Sequence, residues 1–415
     1  MFLYTSKTNS KKNFFWNMTG SMCNALSSMI LLSIVTRAID SANGGIFSLA
    51  FSTAQLLQTV GCFETRVIQA SDTKEECSFS IYFTFRLISS FVMMLLAFGY
   101  ILKNRIFGTK AFVILVICLY KAIDAISDSC MGLYQQKLRI DMSGKSLSYR
   151  VIISTISFAI SCSVTKNLVI SSIIMVVIET ICFFLFDITS IHYFADLKIT
   201  FNYEKMKSIF LTCIPLCIGS FMISYILNAP KYAIDKYLGD VMQNYYGFIM
   251  MPAFVINLFS LFVFRPLLTT LAIFWNDNSI KKCVQIVVKC CLWIVFLTVA
   301  ALIGSYLMGI WILNLISGLD LSSYRIDLVL IMFGGGLNAF IMLFYNVLAV
   351  IRKQNIVFIG YLIGFSISLL ITSYFVSNYM IRGAAISYII PQFFIASFFL
   401  MFIVISFKNR VKKSN

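Results

Sequence analysis

Four ionisable residues stand out in a largely apolar sequence: Lys121, Asp124, Asp128 and Glu179. The first three are spaced by three and then four positions, which puts them on one helix face and lets Lys121 neutralise Asp124 within its own helix. Such a group serves either as an ion pair that docks its helix on a neighbour or as a cation-coupling carboxylate. Glu179 stands alone among apolar residues, where a proton-coupling role and a hydrogen-bonded structural role both suit a carboxyl group. Ionisable side chains at membrane depth are costly, so each is a candidate for pairing or for lining a wet cavity.

A second set of polar groups is made of amides: Asn17, Asn24, Gln55, Gln58, Asn228 and Asn257. Amides hydrogen-bond between membrane helices, and they also suit a cavity that holds sugar hydroxyls. Basic residues flank the same helices: Arg37, Lys231 and Lys236 at outer ends, Arg66 and Arg265 at inner ends. An anion such as a diphosphate needs several cationic donors, and arginine presents a planar fork of them. Long basic side chains at helix ends also reach for lipid headgroups, so both readings stand.

The elements that must position these residues follow from composition. Of 415 residues, 60% are hydrophobic and 12% charged, with a mean hydropathy of +0.88. A soluble chain could not hide that much apolar surface. Apolar runs long enough to cross about 30 Å of hydrocarbon recur at roughly 15–36, 46–63, 80–102, 111–133, 147–165, 168–190, 208–228, 243–264, 284–308, 326–350, 355–376 and 383–406. The sequence is thus expected to be an all-α polytopic membrane protein with about 12 transmembrane helices. The fifth run is the weakest, because Arg150 sits near its start.

With twelve crossings and an internal N-terminus, the cytoplasmic segments collect about 22 Lys and Arg and the external loops about nine. That asymmetry predicts that both termini face the cytoplasm, and it accounts for most of the net charge of +16. The charges are dispersed over separate loops, which points to anionic membrane lipids and away from nucleic acid.

His192 is the only histidine, and most of the twelve cysteines fall inside apolar runs, where Cys acts as a small apolar residue. No metal site is expected. No phosphate loop of the GxxxxGK[ST] type and no long hydrophilic segment is present, so an ATPase or a soluble catalytic domain is excluded and no catalytic residue is assigned. The longest cytoplasmic loop, about 191–207, splits the helices six and six, giving an N-terminal half 1–204 and a C-terminal half 205–415. A faint echo supports a repeat: Ala38-Ile39-Asp40 follows the first run and Ala233-Ile234-Asp235 the seventh. All five prolines lie in the second half, four of them (Pro215, Pro230, Pro252 and Pro266) in helices 7 and 8. They make that pair either flexible or statically kinked.

Three stretches carry a resemblance. They are Thr36-Arg37 with Gly45-Ile46-Phe47-Ser48-Leu49-Ala50 and Gln55; Asp128 through Gly132, Gln135, Gln136, Arg139, Asp141, Gly144 and Lys145 to Arg150; and Asn228 through Pro230, Lys231, Tyr232 and Asp235 to Gly239, followed by Tyr245-Tyr246-Gly247. The sequence resembles the Wzx-type polysaccharide flippases of the multidrug, oligosaccharidyl-lipid and polysaccharide exporter superfamily. The resemblance implies two six-helix lobes around a central cavity walled by helices 1, 2, 7 and 8. It implies alternating-access translocation of undecaprenyl-diphosphate-linked oligosaccharide repeat units from the cytoplasmic to the outer leaflet of the bacterial inner membrane, for O-antigen, capsule or related glycans.

Substrate contacts are then expected at Arg37, Arg66, Lys231, Arg265, Asn24, Gln55, Gln58, Asn228 and Asn257, and ion coupling at Lys121, Asp124, Asp128 and Glu179. No cofactor is expected beyond a proton or sodium gradient. A polysaccharide polymerase and a chain-length regulator are the implied protein partners. The alternative within the same superfamily is a cation-coupled multidrug antiporter. The basic residues that related lipid flippases place deep in helix 1 are replaced here by Asn17 and Asn24.

Overall fold

In hydrocarbon every backbone N–H and C=O must be paired internally, so apolar runs of this length fold as helices. The computed structural model describes residues 10–72, 75–277 and 279–414, with side chains described except at 10–11, 411–414 and part of 255–269. Twelve long helices follow in order: α1 (Ser10–Ala38), α2 (Ser41–Cys62), α3 (Phe79–Lys103), α4 (Gly108–Gln136), α5 (Ile140–Thr165) and α6 (Leu168–Ile191). Then come α7 (Tyr203–Tyr237), α8 (Asp240–Asn276), α9 (Ile280–Ser317), α10 (Arg325–Val350), α11 (354–379) and α12 (381–414). Every predicted span lies on one of them. Among the described residues, eight helical stretches are long and apolar enough to cross a membrane by length and composition alone, the α11–α12 stretch passing as one of the eight. The bent pair of α2 with the short helix Thr65–Ser71 adds a ninth.

The fifth span is longer than its apolar run suggests. It starts at Ile140, so Arg150 lies near its middle and is fully buried. The helices continue through Pro215, Pro230, Pro252 and Pro391. The sharp breaks fall elsewhere, at Met380 (φ 53°, ψ −133°) between α11 and α12 and at Phe63–Glu64 (φ 46° and 52°) after α2.

Contacts divide the chain into two compact units, 1–224 and 225–415, with the boundary inside α7. In the first unit α1 packs along α5, α2 along α3 and α4, and α6 against α4 and α5. The α1–α5 crossing is close because both helices present glycine: a Cβ on Gly20 would lie 2.8 Å from the carbonyl oxygen of Gly144, and one on Gly144 would meet the backbone of Trp16 and Asn17. Small residues let membrane helices approach to this distance. In the second unit α10 does the same through Gly334-Gly335-Gly336, which face Tyr388, Ala253 and Thr298 on α12, α8 and α9.

Alternating traverses predict that every second connector meets at one end of the first unit. They do. Asn13 at the start of α1 donates to the Leu138 carbonyl (3.3 Å) and accepts from the Asp141 amide (3.1 Å). Gln136 donates to the Asp72 carbonyl (2.5 Å), Lys137 pairs with Glu75, Lys205 donates to the Glu76 carbonyl (2.5 Å), and Ser80 donates to the Asp196 carbonyl (3.0 Å). The start of α1 and the α2–α3, α4–α5 and α6–α7 connectors are thus gathered together.

Candidate functional site

The charged residues of the first unit form two separate groups. The larger is built around Arg150 on α5, whose guanidinium reaches three carboxylates. Its Nη2 lies 3.4 Å from Asp124 Oδ1 on α4, its Nη1 2.9 Å from Glu179 Oε1 on α6, and its Nε 3.4 Å from Asp187 Oδ2, also on α6. Lys121 closes the group with a 2.8 Å bond to Asp124 Oδ2, its ammonium 5.1 Å from the centre of the Phe51 ring. Asp187 also accepts from Ser127 (2.8 Å) and Ser146 (2.6 Å). Arg150, Glu179 and Asp187 are wholly buried, and Asp124 and Lys121 nearly so. A wider, π-type helical turn over Phe183–Ile188 shifts the register of α6 at Asp187, a device found at functional positions.

Glu179 is therefore not alone, as its apolar neighbours in sequence suggested. It faces Arg150, a partner that becomes visible only when α5 is laid beside α6. Asp128 also departs from its expected company. It turns away from Lys121 and Asp124 and takes Arg66 Nη1 on Oδ1 (2.9 Å) and Arg86 Nη2 on Oδ2 (3.0 Å). Arg86 on α3 is fully buried and donates also to the Gly61 carbonyl (3.4 Å), whereas Arg66 is half-buried and donates to Gln135 Oε1 (3.3 Å). The short helix that carries Arg66 is held by Gln69, which donates to the Ser129 carbonyl (3.0 Å), and by Glu64, which accepts from Ser220 (2.6 Å).

Asp128→Asn is expected to lower stability by about 3 kcal/mol, because buried Arg86 loses its carboxylate. Arg66→Ala should cost under about 1 kcal/mol, since Arg66 is part-exposed and Arg86 still neutralises Asp128. Thermal melting in detergent checks the order; equal losses would refute it.

The remaining expected site residues are dispersed. Asn24 and Arg37 are exposed on α1, Gln58 is half-buried on α2, and Gln55 is exposed on a stretch of α2 whose neighbours are buried. Asn228 is buried and Lys231 half-buried on the part of α7 that belongs to the second unit. Asn257 and Arg265 lie on α8, outside the described side chains. Sequence reasoning did not select Arg86, Arg150 and Asp187 as site residues. Each is an ionisable residue inside an apolar span, the same signal that drew attention to Asp124 and Glu179. Among the described residues no group of His, Cys, Asp and Glu is suited to hold a metal ion, and the cysteines are free.

Twelve long helices in two units, with charged residues buried among them, define an all-α polytopic membrane fold. Comparison with solved structures shows which. The chain superposes on an inward-facing multidrug resistance MATE family transporter of the MOP superfamily with a TM-score of 0.65, at 11% identity over 98% of this chain and 100% of that one. It matches the Vibrio cholerae MATE transporter VcmN in its bent form with a TM-score of 0.61, at 11% identity over 96% and 97%. It matches a MOP superfamily transporter from Pyrococcus furiosus with a TM-score of 0.57, at 13% identity over 96% and 95%. The chain thus has the fold of MOP superfamily transporters. In sequence it is 23% identical over 327 residues to the capsular polysaccharide biosynthesis protein CapF of Staphylococcus aureus, covering 78% of this chain and 81% of the relative. No protein-family profile matches it.

Proposed function

We propose that this protein is a Wzx-type flippase that carries polyprenyl-diphosphate-linked oligosaccharide repeat units from the cytoplasmic to the outer leaflet for capsule, O-antigen or related polysaccharide synthesis. The observation that carries the reading is a transporter fold in a chain whose similarity to a capsular polysaccharide biosynthesis protein runs over about four-fifths of both lengths. The physical need is plain. Each sugar hydroxyl taken unpaired into hydrocarbon costs several kcal/mol, about 4–8 on an alkane scale, while a prenyl tail can stay in lipid. A polar path that opens to one side at a time removes that barrier.

In this reading the end of the first unit where α1 begins faces the cytoplasm, as the loop charges favour, and the protein sits in the bacterial inner membrane. Arg37, Arg66, Lys231 and Arg265 attract the diphosphate, and the amides Asn24, Gln55, Gln58, Asn228 and Asn257 meet sugar hydroxyls. A proton or sodium gradient supplies the energy. The cluster around Arg150 is suited to that part, because two cations face three carboxylates and one further positive charge would balance it. The polysaccharide polymerase and chain-length regulator are the natural protein partners downstream. The solved transporters described as multidrug exporters share only 11–13% identity with this chain, so they support the fold and give drug efflux no added weight.

Proteoliposomes loaded with a fluorescent lipid-diphosphate oligosaccharide test the proposal. Wild-type protein should move the headgroup across, and Arg66→Ala combined with Arg265→Ala should slow it about tenfold, the loss of about 1.4 kcal/mol of charge-assisted contact. An unchanged rate in the double variant defeats the diphosphate clamp. Drug efflux without headgroup movement by the wild type defeats the flippase reading.

A further inference from the structure

The first two turns of α7 carry a groove that the foregoing reading leaves unused. Tyr203, Met206, Lys207 and Phe210 follow the i, i+3, i+4, i+7 spacing of one helix face, and Phe201 from the preceding connector completes the lining. The neighbouring face of the same helix is spent on the core, where Ile209 and Cys213 pack against Ile81, Tyr82 and Phe85 of α3. The grooved face stays open: Phe201 is 73% and Tyr203 78% exposed, and Phe210 is exposed on one side while its ring stacks on Phe63 at 5.3 Å on the other.

The groove is an open one of about 510 Å³, comparable in volume to the roughly 300–1,000 Å³ of ligand sites, which are apolar with a few placed polar groups. Here the placed group is one cation. Lys207 is exposed and has no ion-pair partner among the described residues, whereas Lys205 beside it is engaged by the Glu76 carbonyl. Asn202 caps the N-terminus of α7 by accepting from the Lys205 amide (3.1 Å), and the exposed carboxylate of Glu204 in the first turn offsets the positive potential of that end, so the cation at the groove is Lys207 itself.

We propose that this groove is a docking site for the hydrocarbon chain of the lipid-linked substrate, with a phosphate of its headgroup at Lys207. The inference rests on the flippase reading for the identity of the lipid. One apolar groove beside one cation fits a lipid with a single chain on its phosphate-bearing headgroup, rather than a two-chain phospholipid. The groove lies at the end of the first unit where the start of α7 meets the α2–α3 connector, the end that the flippase reading turns to the cytoplasm, where a substrate made there would arrive.

The full chain in zwitterionic phosphatidylcholine nanodiscs, illuminated with heptaprenyl diphosphate bearing a diazirine on its chain, tests this. Label should concentrate on residues 201–210, be competed by unlabelled heptaprenyl diphosphate and not by phosphatidylglycerol, and fall about fivefold in Lys207→Gln, the value of one lysine at a charged lipid. Phe201→Ser should also reduce it, and both exposed substitutions should leave the melting temperature unchanged. Label spread evenly over the lipid-facing helices, or equal competition by phosphatidylglycerol, overturns the proposal. Labelling is read without transport, so a protein that labels at 201–210 but moves no headgroup fails as a flippase while keeping this site. One that flips at full rate without this label does the reverse.

Discussion

Arg150→Ala should abolish accumulation of folded protein. The substitution strands Asp124, Glu179 and Asp187, all buried, with Lys121 as the one cation left in their group. Removing one partner of a buried ion pair costs about 3–5 kcal/mol, and here one guanidinium serves three acids. Total stabilities are of order 5–15 kcal/mol, so the loss consumes much of what holds the first unit together. Arg150→Lys should fall between, because an ammonium keeps the charge but lacks the fork that spans three carboxylates. Glu179→Gln should be the mild member of the series, since it leaves two cations on two carboxylates. The check is the yield of monodisperse protein and its melting temperature in mild detergent. A melting temperature for Arg150→Ala within about 2 °C of wild type would mean the cluster contributes little to stability. A folded Glu179→Gln variant that still transports at full rate under an ion gradient would remove Glu179 from the coupling proposal.

The second large effect is steric. Gly144→Ala places a methyl group against the backbone of Trp16 and Asn17, and neither backbone can yield without moving α1 off α5. Overpacking of this kind costs about 3 kcal/mol or more when no flexible side chain can give way. Moving α1 also disturbs Lys145, whose ammonium lies 5.7 Å from the Trp16 ring, and the Asn13 bonds to Leu138 and Asp141. Gly99→Ala on α3 is the matched control, because a Cβ there meets nothing within 4 Å. It should be neutral or stabilising by up to about 1 kcal/mol through helix propensity. A melting temperature lowered by Gly144→Ala and unchanged or raised by Gly99→Ala, measured in one detergent, is the expected result. A Gly144→Ala protein as stable as wild type would show that the crossing has slack.

Much of the fold is legible in the amino-acid sequence. A span must be about twenty apolar residues because the bilayer core is about 30 Å thick, so hydropathy alone sets where the crossings fall. The predicted ends stop short of several helices. The first turns of α5 and α7 carry Asp141, Lys145, Glu204 and Lys205, and hydropathy does not mark such polar turns as part of a helix. The Lys121–Asp124 pair was also readable, since both partners lie on one helix and the spacing of three is local.

What the sequence could not supply was the partner across a helix boundary. Periodicity says which residues share a face and is silent on which neighbour that face meets. Asp124 and Asp128 are one turn apart, yet one pairs with Arg150 on α5 and the other with Arg66 and Arg86 from the α2–α3 region. Glu179 read as solitary because its partner is twenty-nine positions away on an adjacent helix. The helices run on through the described prolines, while the positive-φ breaks lie at Phe63–Glu64 and Met380, a backbone that local sequence does not favour there. The sequence by itself therefore determined where the long apolar helices lie and which costly charges travel with them, because an apolar run of this length must pair its backbone internally. Only the tertiary structure decided that five of those charges converge on one guanidinium-centred cluster, because the pairing of buried ions depends on which helices pack together and at what register.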